Sequence, residues 1–263
     1  MERVIKQIGI LIVVLTTLCA CTNEPIEQEV SMLKRIVEVS VDGSSSTTTL
    51  HYNGIKIASI DKGDAVLEFF YTGSLITKII ETNKETSHKS TLDYYYVEGI
   101  LSKITSSDNY VLSYTHNKDG SVSYEKWTKS ANNTAVKEYY GTLFFDNENL
   151  VKEERVNEDS QNGLVTTKTL NRFFDNRNNA LRHILGFNKL LDFAKTASSN
   201  NCILHSESYS EKHLDTDQII SSIKRVDNKI KYNATGYPIE IISENRVFGD
   251  SDSKHLKSQL FYN

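Results

Sequence analysis

The chain has 263 residues and a mass of 29.9 kDa, and its 30 Lys and Arg residues are outnumbered by 34 Asp and Glu residues. A net charge of −4 and a pI near 6.0 exclude a broad electrostatic surface for nucleic acid, because such surfaces are strongly basic. A hydrophobic content of 38% excludes wholesale disorder, and the length is sufficient for a core that needs neither disulfides nor a metal.

The first twenty-one residues have the pattern of an export signal. Arg3 and Lys6 precede an apolar run over residues 8–15, which is too short to cross a hydrocarbon core of about 30 Å. This pattern is typical of a secretory signal peptide. The segment Leu18-Cys19-Ala20-Cys21 at its end resembles the lipobox of bacterial lipoproteins. The resemblance implies cleavage before Cys21 and a thioether bond between its thiol and diacylglycerol. An ordinary cleaved signal or an uncleaved anchor is the alternative.

On this basis we expect a signal peptide over residues 1–20, a lipidated tether over 21–33 and a single, monomeric domain over 34–263. The lipobox resemblance implies a cell-envelope protein that is lipid-anchored to the outer membrane, with its body on the periplasmic face or at the cell surface. The membrane is then a partner through the lipid anchor. Cys19 would leave with the signal peptide, so Cys202 would be the remaining free thiol and no intramolecular disulfide is expected.

From about Lys34 onward, apolar and polar residues alternate, which predicts half-buried β-strands. Aromatic and β-branched residues dominate these runs, as in the face formed by Leu67, Phe69 and Tyr71. Dipeptides that favour tight turns separate the runs. They are Asn53-Gly54, Thr72-Gly73, Glu98-Gly99, Asp119-Gly120, Asn162-Gly163 and Thr235-Gly236. The sequence therefore predicts β-hairpins in series.

The hairpins share an outline of an aromatic strand, a turn and an aliphatic strand, repeated every 21 to 30 residues or so. Phe144-Phe145-Asp146-Asn147-Glu148-Asn149-Leu150 resembles the YD (Rhs-type) repeat, and Phe173-Phe174-Asp175 repeats its opening. The resemblance is to degenerate YD repeats of uncharacterised envelope lipoproteins, and it implies a long antiparallel meander without a catalytic residue. We predict an all-β fold of about a dozen strands in a curved sheet or half-barrel.

One segment has a different period. Apolar residues at 184, 187, 190, 191 and 194 predict an amphipathic α-helix near 184–195, inserted between hairpins and packed on the sheet. A helix that binds a partner is the alternative.

The residues that carry chemistry are scattered along the chain. The seven histidines lack the spacing of a zinc site, and the segment from His213 to Asp217 offers an incomplete ligand set, so we expect no metal and no cofactor. The Asx-rich segments 146–149 and 175–178 are interpreted as hairpin turns and not as calcium loops. Glu153 and Glu154 could serve a glycosidase, but a solvated face explains them better. No catalytic residue is predicted.

Doubled aromatic residues suggest a surface for ligands. In Phe69-Phe70 and Tyr94-Tyr95-Tyr96, neighbouring rings must point to opposite faces of a strand, so Phe70 and Tyr95 are candidate ligand-binding residues. Packing of these outer rings is the alternative. The predicted function is a non-catalytic binding or structural module, with a glycan or an envelope protein as partner. A carbohydrate-active or other degradative surface enzyme is the alternative, and a toxin-like fragment is a third possibility.

Overall fold

The computed structural model describes residues 31–129, 134–247 and 254–263. The predicted signal peptide and the predicted acylation site, Cys21, lie outside the described residues. The strands are β1 (Leu33–Ser40), β2 (Ser45–Asn53), β3 (Lys56–Asp61), β4 (Ala65–Thr72), β5 (Leu75–Asn83), β6 (Lys89–Val97), β7 (Ile100–Ser106), β8 (Tyr110–His116), β9 (Val122–Lys129), β10 (Ala135–Asp146), β11 (Asn149–Asp159), β12 (Leu164–Asn178), β13 (Asn200–His213), β14 (Ile219–Tyr232), β15 (Pro238–Val247) and β16 (Lys254–Tyr262).

These strands form one closed antiparallel barrel, in which each strand pairs with its neighbours in sequence and β1 pairs with β16. Ile36 lies opposite Leu260 in the closing pair, and Glu38 lies opposite Ser258. The predicted all-β antiparallel meander is confirmed. The expected dozen strands in a curved sheet or half-barrel were wrong, because pairing of β1 with β16 removes the two unpaired edges that an open sheet would expose.

The two ends of the barrel differ. One end, here called the turn end, carries the tight turns at 53–56, 72–75, 97–100 and 146–149, together with the start of β1. Gly73 in one of these turns has φ of 62°, a conformation that glycine adopts without strain. The opposite end, here called the mouth, carries the connections at 40–45, 83–89 and 213–219.

Five of the six hairpins at the turn end share one feature, a register shift at an aromatic residue close to the turn, and the β8–β9 hairpin lacks it. Tyr52, Tyr71 and Tyr96 sit at such shifts. The hydroxyl of Tyr52 donates to the Leu33 carbonyl at 2.7 Å, and that of Tyr96 donates to the Ile76 carbonyl at 2.8 Å. In these two hairpins the recurring aromatic residue of the sequence outline therefore binds the backbone of a preceding strand.

The hydrophobic core lies inside the barrel. Inward side chains of β1 to β11 and β16 pack against the segment between β12 and β13, and fully buried members include Ile76, Ile79, Leu101 and Ile104. The inward faces of β12 to β14 are largely polar, with Thr166 and Lys168 as examples on β12. One side of the lumen is thus packed, and the other is lined by polar groups.

Candidate functional site

The connection between β12 and β13, residues 179–199, enters the barrel and is called the plug. It contains two 3₁₀ turns, Phe187–Lys189 and Leu191–Phe193, and none of the described residues forms an α-helix. The predicted α-helix at 184–195, inserted between hairpins and packed on the sheet, was therefore wrong. Ile184, Phe187 and Leu190 recur every three residues, which is the repeat of a 3₁₀ turn, and all three are buried.

Gly186 explains why the plug can approach the wall so closely. Its φ is 72°, and a Cβ atom added there would lie 2.5 Å from the Ser74 carbonyl oxygen. A residue with left-handed φ at this position also interrupts any regular right-handed helix. Residues that carry a Cβ atom rarely adopt this conformation.

The plug contacts the wall at several places around the turn end. The Leu185 amide donates to the Ile55 carbonyl, and the Tyr71 hydroxyl donates to the Leu185 carbonyl. His183 lies 2.5 Å from the Tyr237 hydroxyl, next to the start of β15. These contacts reach β4 and the turns that precede β3 and β15, so the plug closes the turn end of the lumen.

A buried carboxylate, Glu153 on β11, joins the plug to the wall. It is only 6% exposed, and it accepts a hydrogen bond from Tyr124 at 2.7 Å. Arg155 and the plug residue Lys195 each form an ion pair with it at 2.9 Å. The interpretation of Glu153 as a solvated residue was wrong, because its position on β11 points inward, while Glu154 points outward and pairs with Lys152 at 2.7 Å.

The ionisation of Glu153 is stabilised by its partners. Burial raises the pKa of this carboxyl, but the hydrogen bond from Tyr124 and the charges of Lys195 and Arg155 outweigh that effect, so the pKa lies below its usual value. Glu153 is thus an anion that forms ion pairs with two cations, Arg155 and Lys195.

A second carboxylate, Asp192, lies on the plug and accepts a hydrogen bond from Tyr94 at 2.7 Å. Burial raises the pKa of this carboxyl to about 6, although the hydrogen bond from Tyr94 offsets part of that increase. The side chain nevertheless remains in contact with solvent inside the lumen, which screens part of its charge. Asp192 and Glu153 border the same small cavity of about 160 Å³, together with Tyr114, Tyr124 and Tyr139.

A larger cavity of about 730 Å³ opens towards the mouth. It lies between β1 and β13 to β16, and it falls within the 300–1,000 Å³ that is usual for small-molecule sites. Its lining combines His205, Lys224 and Asn245 with the apolar side chains of Val226 and Leu256. We call this cavity the chamber. Sequence reasoning missed it, because its residues come from five strands that meet only when the barrel closes.

The outer wall carries the candidate ligand-binding residues. Phe70 is 44% exposed and Tyr95 is 45% exposed, whereas their inward neighbours Phe69 and Tyr94 are 6% and 4% exposed. The Lys103 ammonium lies 4.5 Å from the centre of the Tyr95 ring. The two rings thus share the outer face, on β4 and β6, with β5 between them.

Charged residues cover much of the same outer wall. Lys78 pairs with Asp93 at 3.5 Å between β5 and β6, and Lys137 pairs with Glu125 at 2.6 Å between β9 and β10. Further outward ion pairs are Lys152–Glu154, Arg225–Asp227, Lys231–Glu240 and Lys257–Glu240. These pairs lie within the strands and not only at the ends of the barrel.

The remaining candidate groups of the sequence do not converge. In the described ranges no group of three or more His, Cys, Asp and Glu side chains is arranged to hold a metal ion. His213 lies 3.4 Å from Glu211, and Asp217 pairs with Lys212. Cys202 is half-buried, and its thiol donates to the Leu204 carbonyl.

The two Asx-rich segments have different structures. Residues 146–149 form the β10–β11 turn, with positive φ at Asn147 and Glu148, as the turn chemistry predicts. The segment 175–178 lies in β12 and is not a turn, so this prediction was wrong. The Asp175 carboxylate accepts hydrogen bonds from the Asn201 amide and the Tyr232 hydroxyl, which hold the strand in place where the plug begins.

In the part of the chain that the structure describes, no helix has the length and the apolar character that crossing a membrane requires.

Comparisons with known proteins identify the architecture. No protein-family profile matches the chain, and no curated protein matches it. Among solved structures, a porin-like protein from Bacteroides uniformis ATCC 8492 is similar, with a TM-score of 0.51 and 12% sequence identity over 88% of this chain and 96% of that chain. At this identity the similarity shows the fold alone.

Proposed function

We propose that this protein is a non-catalytic binding module of the cell envelope and that an acylated Cys21 anchors it. In this proposal the barrel lies in water, with one end closed and the other open, and we call this arrangement the cup. The closed end of the cup is the turn end with its plug, and the open end is the mouth. The lipobox resemblance supports the anchor, and the charges on the outer wall support the position of the barrel.

The outer wall is the observation that carries the proposal. A barrel that crosses a bilayer presents an apolar band about 25 Å tall, and a Lys or Arg side chain at its midplane costs about 2–4 kcal/mol. Here Lys78, Asp93 and Lys137 point outward from the strands, as does Glu125. Outward aromatic rings lie beside cations, as Tyr95 lies beside Lys103. Charged groups at these outward positions are stable in water and costly in lipid.

The path of the chain fits an anchored cup. β1 begins at Leu33, at the turn end, so a tether from an acylated Cys21 joins the barrel there. The mouth lies at the end of the barrel opposite to this junction.

The chamber is the favoured site for a ligand. It is concave, it has a suitable volume, and it combines apolar side chains with a few polar ones. The outer rings of Phe70 and Tyr95 remain a second proposed surface for an extended ligand such as a glycan. They lie on a convex wall and offer less contact area to a small molecule.

A cleavage experiment tests the position of the barrel. A specific protease site is introduced between residues 22 and 30, and membranes that carry the protein are treated with the protease. We expect the barrel to leave the membrane fraction and to enter the aqueous phase of a detergent partition, while uncut protein stays in the detergent phase. Labelling with a radioactive fatty acid should be lost in Cys21→Ser. A cut barrel that stays in the membrane would contradict the proposal.

Acid–base catalysis at Glu153 and Asp192 is the second candidate. The two carboxylates border one tyrosine-lined cavity, and their environments shift their pKa values in opposite directions, as in glycoside hydrolases. Against this, the cavity of about 160 Å³ is smaller than usual ligand sites. Hydrolysis of chromogenic glycosides that disappears in both Glu153→Gln and Asp192→Asn would favour the enzyme.

A further inference from the structure

Lys224 gives the chamber a positive charge without a partner. It lies on β14 opposite Glu207 in register, but the Glu207 carboxylate pairs with Lys168 at 2.7 Å. Within the described residues no ion pair engages Lys224, and its side chain is exposed to the lumen. An anion that enters the chamber would therefore find a free ammonium group.

The surroundings of His205 indicate the same sign of potential. This imidazole lies on β13 beside Lys224 and is half-buried. Burial lowers its pKa, and the charge of Arg172 lowers it further. Glu207 opposes this shift, and Lys224 and Lys195 each add a smaller lowering effect. Lys224 and His205 thus place basic groups side by side on the inner wall, whereas the acidic lining residue, Asp42, lies in the β1–β2 connection at the mouth, where its carboxylate accepts hydrogen bonds from Ser44.

Asn245 supplies an acceptor that lacks a donor. Its Oδ1 atom lines the chamber, is buried, and has no hydrogen-bond partner among the described residues. A buried acceptor without a donor is unfavourable, so a ligand hydroxyl group that donates to it would relieve this cost. Val226, directly opposite Asn245 in register, and Leu256 present apolar surface beside it.

We propose that the chamber binds an acidic saccharide, a sugar that carries a carboxylate, such as a uronic acid. Lys224 pairs with the carboxylate, Asn245 accepts a hydrogen bond from a sugar hydroxyl, and Val226 and Leu256 contact the C–H face of the ring. This inference rests on the proposed binding function and adds the class of ligand.

The test compares glucuronate with glucose, which differ in the carboxylate at C6. Binding to the full-length protein in detergent is measured by calorimetry, and the His205 ring is followed by NMR. We expect glucuronate to bind at least 10-fold more tightly than glucose and to shift the titration of His205 to higher pH, since a bound anion favours the imidazolium.

Two variants of one strand give a matched comparison. Lys224→Gln removes the inward charge, whereas Lys229→Gln makes the same change on the outer face of β14. Loss of a charge-assisted hydrogen bond should weaken glucuronate binding about 10- to 100-fold in Lys224→Gln and leave it unchanged in Lys229→Gln. Asn245→Ala should also weaken binding without lowering the thermal stability, because it removes an unpaired group.

Several results would overturn the inference. They are equal affinity for glucuronate and glucose, absence of glucuronate binding, or unchanged binding in Lys224→Gln. Such a result does not contradict the proposal that the barrel lies in water, because protease release from the membrane does not depend on the ligand. Conversely, a barrel that stays in the membrane after cleavage refutes the cup even if glucuronate binds.

Discussion

Replacement of Glu153 by Gln tests whether the junction between plug and wall contributes to stability. The change keeps the size of the side chain and removes its charge. Hydrogen bonds to charged groups contribute about 1.5–3 kcal/mol, and neutral ones about 0.5–1.5 kcal/mol, so the contacts with Tyr124 and Arg155 should each lose about 1 kcal/mol. Lys195 is about half exposed, and its pair adds at most about 1 kcal/mol. The expected loss is about 2–3 kcal/mol.

Glu154→Gln is the matched control. Glu154 is the next residue along β11, faces outward and pairs with Lys152, with both side chains well exposed. Exposed pairs contribute about 0–1 kcal/mol, so this variant should change little. Urea unfolding is followed by far-UV circular dichroism and by the fluorescence of the single tryptophan, Trp127. A difference between the two variants below about 1 kcal/mol would refute the reasoning about the junction.

Three further predictions concern the plug and the paired aromatic faces. Asp192→Asn should become more stable relative to the wild type as pH rises from about 4 through 6, because the raised pKa of Asp192 means that its ionisation destabilises the folded wild type over this range. A difference in melting temperature that does not change with pH contradicts this. Gly186→Ala should destabilise the protein by about 1–3 kcal/mol in urea unfolding, because its Cβ meets a carbonyl oxygen and its φ is positive; a neutral effect contradicts the close approach. Phe70→Ala and Tyr95→Ala should each cost less than about 1 kcal/mol, whereas Phe69→Ala should cost about 3–5 kcal/mol; unfolding by the outer variants would place those rings in a core.

Much of the wall follows from local sequence rules. Alternation places Leu67 and Phe69 inside and Phe70 outside, and glycine dipeptides such as Thr72-Gly73 lie at turns. The doubled aromatic residues divide between the two faces because neighbouring side chains of a strand point in opposite directions. These rules act over a few residues, and sequence reasoning handles them well.

The strand count and the plug depended on interactions that such rules do not contain. β12 and β13 face a wet lumen, so the stretches Thr166 to Thr169 and Ser206 to Ser210 are polar on both faces and give no alternation. The apolar spacing of the plug fits a helix and a run of 3₁₀ turns almost equally well. The surrounding wall decides between them, because it offers contacts in every direction and not along one stripe. The chamber was missed because residues from β1 and from four later strands meet only when the barrel closes.

That closure has a kinetic consequence. The seam is the pairing of β1 with β16 that closes the barrel. Across it Ser258 donates a hydrogen bond to Glu38, which is 220 residues away in sequence, whereas each other strand pair joins neighbours in the chain. Contacts at long sequence separation form slowly, because the loop entropy is lost before the contact is made. Until β16 reaches β1, both strands present open edges that can pair with another molecule. We therefore expect the seam to be the slow step of folding and the period before its formation to be the time when copies of this chain aggregate.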